Sequence, residues 1–210
     1  FQLLRETYAD EDEILLYLGE VQSDVAKHIS DFVPNDDEPN PKADLERYGV
    51  NVLIDNGRLE GAPVIIEQNP NYHRLIGRLE YEMREGVVST HFMNIKSGSL
   101  HQANGGYLIL NARDVLKDEF AWEALKRALK TRQVRVQPMA TMNGGTQVLA
   151  KSLDPEPIPL DVKIVLMGSP RLYYALYEND DDFNNLFKVR SDFGATMPRS
   201  DMFEEAYAQF

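Results

Sequence analysis

Residues 98–117, GSLHQANGGYLILNARDVLK, decide the fold. A glycine pair is followed by four apolar residues, Tyr107 to Leu110, and the run stops on polar Asn111. A strand buried on both faces reads this way when its carboxyl end opens into a crevice, because parallel strands are covered by helices and ligands sit at strand ends. Downstream, FAWEALKRALK at 120–130 places Phe120, Ala124, Leu125, Ala128 and Leu129 on one helical face, with basic residues toward the negative end of the helix dipole. Trp122, the only tryptophan, falls within this helix and reads as core. A second apolar strand, VKIVLMGSP at 162–170, ends in Gly168 and Ser169. Ser169 followed by Pro170 is an N-cap and first-turn pair for the helix RLYYALYE. Two apolar strands separated by a helix predict an α/β fold, a parallel sheet layered between helices on both faces.

Working upstream, NVLID at 51–55 and PVIIE at 63–67 flank Asn56-Gly57 and predict two strands about a turn. NPNYHRLIGRLEYEMREG at 69–86 carries Tyr72, Leu75, Ile76, Leu79 and Met83 on a helical period, interrupted by Gly77 and stopped by Gly86. VRVQPMATMNGGTQVLA predicts a hairpin around Asn143-Gly144 whose tip exposes Met139 and Met142.

The amino-terminal part is different in kind. Residues 1–45 hold 12 acidic and 3 basic side chains, a net of -9 out of -12 for the chain, which leaves -3 for the rest. Ile14, Leu18, Val21, Val25 and Ile29 draw one apolar stripe along a helix there, with Asp10 and Glu13 spaced as a capping box. PNDDEPNP at 34–41 has no apolar residue and reads as a linker. The expected organisation is therefore an acidic helical segment and linker over 1–45 and an α/β core over 46–210.

Composition narrows the function. The acidic balance excludes nucleic acid as the main partner, since phosphate binding is driven by Lys and Arg. With no cysteine there is no disulfide framework or zinc-thiolate site, and the expected compartment is the cytoplasm. No apolar run approaches the roughly 20 residues of a membrane-spanning helix, so no membrane association is expected. His28, His73, His91 and His101 show no metal-ligand spacing, and no metal site is expected. A chain that opens on Phe1 is expected to be an excised piece of a longer protein.

The order of these motifs resembles AAA+ ATPases, in particular the branch holding magnesium chelatases and archaeal-type Lon proteases. There an RLxG turn precedes PGxLHxAxxGxLxxDExxxL, the Walker B strand; here the chain reads RLIGRLEYE at 74–82 and SGSLHQANGGYLILNARDVL at 97–116. EGAPVIIEQNPNY, IPLDVKIVLMGSPRLYYALY and LFKVRSDF extend the resemblance to Lon-like ATP-dependent proteases over essentially the whole chain. It implies an AAA+ type, P-loop NTPase-like three-layer sheet, truncated before the lid and protease domains.

The resemblance also implies where ATP chemistry would sit. The Walker B acid position holds Asn111 and the water-polarising Glu position holds Ala112. Ser169 stands at the sensor position, with helix capping as its competing role, and Lys188 or Arg190 stands where a neighbouring subunit would receive an arginine finger. No GxxxxGK[ST] occurs in the 210 residues. The chain is thus expected to retain the AAA+ architecture without its hydrolytic groups, so no catalytic residue is assigned. ATP and Mg²⁺ belong at most to the intact family member, and none is expected bound here. The implied setting is a homo-oligomeric ring, most simply a hexamer, that presents protein substrates to a Ser/Lys peptidase domain outside this segment. Tyr72 is the expected polypeptide contact, weighed evenly against an ordinary helix-start residue, with Met139 and Met142 as second candidates that buried packing would equally explain. The alternative from a different class is a scaffold that binds a partner and drives no translocation.

Overall fold

The computed structural model describes residues 1–32, 45–84, 87–137 and 153–194, with 196, 199, 203 and 208 beyond them. They form two units, Phe1–Val52 and Leu53–Phe210. In the first, α1 (Gln2–Thr7) precedes α2 (Asp12–Lys27). The stripe residues Ile14, Leu18, Val21 and Val25 are the less exposed side of α2, and Leu18 is buried. Asp24 accepts a hydrogen bond from the Tyr48 hydroxyl at 2.7 Å and pairs with Arg47 at 3.0 Å. These contacts fasten α2 to the short turn Leu45–Tyr48. The expected capping box does not form: Glu11 is the N-cap residue, and no side chain bonds the first turn.

The second unit runs, in order, β1 (Val64–Glu67), α3 (Tyr72–Ile76), β2 (Arg78–Leu79), β3 (Glu82–Arg84), β4 (Val87–Ser89) and β5 (Ile95–Lys96). There follow α4 (Ser99–Gln102), β6 (Tyr107–Asn111), α5 (Ala112–Val115), α6 (Glu119–Thr131) and β7 (Gln133–Val134). The last elements are β8 (Ile158–Pro159), β9 (Lys163–Met167), α7 (Pro170–Asn179) and α8 (Asp181–Leu186). β1, β6 and β9 make a parallel sheet with β6 in the middle. Val64, Tyr107 and Lys163 share one row, Ile66, Ile109 and Val165 a second, and Asn111 pairs with Met167. This is the mixed α/β, P-loop NTPase-like arrangement of a parallel sheet flanked by helices.

Alternation along β6 sends Leu108 and Leu110 into the core, both fully buried, where they join Leu75, Leu100, Val115, Trp122, Leu125 and Phe183. The other face is open: Val64, Ile66, Tyr107, Val165 and Met167 are all exposed. On α6, Ala124, Leu125 and Ala128 are buried as the period predicts, but Phe120 in the first turn is 63% exposed. Among the described residues no helix is long and apolar enough to cross a membrane.

Two expectations are corrected. NVLID forms no strand: β1 is an edge strand that pairs in parallel with β6, and residues 51–55 join no ladder on its other edge. The turn itself survives, with Asp55 accepting from the Gly57 N–H at 3.0 Å. The long helix over 69–86 stops at Ile76, because Gly77 has φ +91° and ψ 180°, a conformation open essentially to glycine alone. Its α-carbon abuts the Lys96 carbonyl, and Gly98 in turn abuts the Leu75 carbonyl, so any side chain at either position collides with backbone. The chain leaves this crossing as β2, paired with β5, which keeps Leu79 buried and turns Met83 outward. The hairpin expected at 138–145 lies outside the described residues.

Candidate functional site

At the carboxyl ends of β6 and β9 a crevice of about 260 Å³ is lined by Asn111, Arg113, Met167, Gly168, Ser169 and Leu172. Neighbouring strand ends deliver its two polar groups. Asn111 closes β6 and caps α5, its Oδ1 accepting from the Arg113 N–H at 3.0 Å. Ser169 closes the turn after β9 and caps α7, its Oγ accepting from the Leu172 N–H at 3.3 Å. Both side chains are occupied by the helix starts that follow them, as capping chemistry favours.

Ala112 is buried just behind Asn111, and a side chain at Gly168 would meet its methyl group at 3.5 Å. Asp114 is engaged one turn along with Lys117 at 2.6 Å. The structure therefore brings Asn111, Ala112 and Ser169 together. Lys188 and Arg190 are not among the crevice walls. Lys188 is exposed. Arg190 is clamped: it donates to the Tyr174 hydroxyl at 3.0 Å and to Asp192 at 2.9 Å, and its guanidinium lies 4.6 Å from the Tyr173 ring centre. The hydrogen bonds to Tyr174 and Asp192 push its already high pKa further up.

Tyr72 opens α3, whose N-cap is Asn71. It is 8% exposed, and its ring forms a wall of a cleft. Met139 and Met142 lie outside the described residues. His101 is buried, with Nδ1 accepting from the Gly98 N–H at 3.2 Å and Nε2 without a partner among the described residues. Burial lowers its pKa to about 4. Sequence reasoning missed Arg113, which adds a cation to the crevice. Its signal was its place two residues beyond the strand end, where a capped turn holds it.

A family model described as LonB-like, AAA domain, matches residues 60–194. No curated protein sequence matches the chain. Among solved structures the chain is similar to NtrX from Brucella abortus, at 20% identity and a TM-score of 0.37, over 61% of this chain and 26% of that one. It thus spans about a quarter of the NtrX chain. The family match covers well over half of the 210 residues, and with the parallel sheet and its strand-end crevice it settles kinship: the chain belongs to the LonB-like AAA domain family.

Proposed function

We propose that this ATPase-like module is a degenerate one, which shapes a ring and hands polypeptide to a Ser/Lys peptidase domain in a Lon-like, cytoplasmic, ATP-dependent protease. One observation carries the reading: among the described residues, the crevice where nucleotide chemistry belongs holds one amide and one hydroxyl, both spent on capping, beside a guanidinium and no carboxylate. A hard divalent cation takes oxygen ligands, carboxylates foremost, and Asn111, Ser169 and Arg113 do not fit Mg²⁺. Ala112 cannot orient a water for attack, and Arg190 is held within its own chain by Tyr174 and Asp192, which leaves Lys188, of the two candidates, without a side-chain partner among the described residues and able to reach a neighbouring subunit.

The test is ATP turnover by the 210-residue chain, unaltered and with Asn111→Ser, which keeps a capping oxygen. Hydrolysis is expected to be negligible and indifferent to the substitution. A robust rate that drops tenfold or more would overturn the degenerate-site reading. Light scattering of the intact protein is expected to give a hexamer. Substrate crosslinks confined to residues 1–45 would favour the scaffold alternative instead.

A further inference from the structure

A second cavity lies apart from the crevice. It is a cleft of about 250 Å³ beside α3, α6 and β7, with Tyr72, Ile76, Arg127, Val134, Arg135 and Gln137 among its walls. Its charge is opposite in sign to that of the chain. Acidic residues outnumber basic ones 34 to 22 overall, yet among the described residues this cleft is lined by two arginines and no carboxylate.

The two arginines differ. Arg135 is held by Asp154 at 2.6 Å. The Arg127 side chain forms no hydrogen bond or ion pair among the described residues, so its donor fork stands ready at the cleft. The floor is apolar, with Ile76 and Val134 buried, and the Tyr72 hydroxyl donates to Gln137 Oε1 at 3.3 Å. Burial pushes the Tyr72 phenol up while the Arg127 charge pulls it down, so the field of Arg127 reaches into the cleft. Low-dielectric walls focus such a field, and a guanidinium matches a carboxylate with two parallel hydrogen bonds. The volume is below the roughly 300–1,000 Å³ of sites for drug-sized ligands, which suits one residue and not a nucleotide.

We infer that this cleft binds the carboxy-terminal residue of a polypeptide, with the carboxylate on Arg127 and an apolar side chain over Ile76 and Val134. The choice of a polypeptide over a free small acid rests on the function proposed above; the carboxylate and the apolar body do not. Fluorescence anisotropy of the intact protein with an amino-terminally labelled Gly/Ser pentapeptide ending in leucine tests it. The free-acid peptide is expected to bind saturably, and both carboxy-terminal amidation and Arg127→Gln to weaken it at least tenfold. Arg127→Lys should recover part of the loss, and Lys163→Gln, on the open sheet face, should change nothing. Arg127 is exposed, and an unchanged thermal melt confirms that its variants fold.

Equal binding of acid and amide, or indifference to Arg127→Gln, overturns the inference. Competition by acetyl-leucine as strong as by unlabelled peptide is expected of a cleft that holds one terminal residue, and competition by inorganic phosphate at the same concentration removes the carboxylate. The titration needs neither nucleotide nor assembly. ATP hydrolysis dependent on Asn111 would therefore sink the degenerate-site reading alone, and equal binding of acid and amide the cleft alone.

Discussion

The imidazole of His101 shows how a single residue sets a condition on the fold. Because Nδ1 accepts from the Gly98 N–H, the proton of the neutral ring sits on Nε2, which is buried with no acceptor among the described residues. A second proton would bury a charge, and the pKa falls to about 4. The unfolded chain, with a histidine pKa near 6.5, takes up that proton first. Stability from this site is therefore complete above about pH 6.5, declines as the pH falls toward 4, and loses on the order of 3 kcal/mol across that window. Urea denaturation between pH 7 and 5 should show the decline in the wild type and a flatter profile in His101→Gln; parallel profiles would refute it. The capping role of Ser169 was legible from the proline after it. The clamp on Arg190 was not, because Tyr174 lies 16 residues away and only folding brings the two together. Nor was the burial of Tyr72, since a helical period says which side a residue faces and not what covers that side.

At the level of elements, Asp180 joins three helices. Its Oδ1 caps α8 by accepting from the N–H groups of Asp182 and Phe183, while Oδ2 accepts from the Trp122 indole at 2.8 Å and from Lys126 at 3.0 Å, both on α6. Burial pushes the Asp180 carboxyl up, but the Lys126 ammonium and the Trp122 N–H outweigh it and hold the group below the usual carboxylate range. Asp180→Ala removes a cap and deprives a buried lysine of one partner, at a cost of about 3 kcal/mol. Chemical denaturation at pH 7 checks the value, and a loss below about 1 kcal/mol would mean that Glu123, 2.8 Å from Lys126, and Asp182, 3.9 Å from it, hold the lysine without Asp180. Elements with a long apolar signature, β6, β9, α6 and α7, could be read from sequence. The two-residue ladder of β2 with β5 could not, because two residues carry no period and its position is fixed by the Gly77–Gly98 crossing.

Over the whole molecule, the open face of the parallel sheet stands out, since such sheets are ordinarily covered on both sides. Ile66 and Val165 share one row of that face, and both are exposed. Replacing both with threonine should lower binding of a hydrophobic dye and self-association by the 210-residue chain, with little change in its melting temperature; unaltered dye binding would show that the face is already covered. The register of the sheet also bears on how it is made. Val64 must find Tyr107, 43 positions on, and Tyr107 must find Lys163, 56 positions further. Closing loops of that size comes before any interstrand bond rewards it, which makes this a slow layer to nucleate. On the ribosome the YLIL segment therefore emerges well before its second neighbour has been synthesised, and for that interval a chaperone is its natural companion.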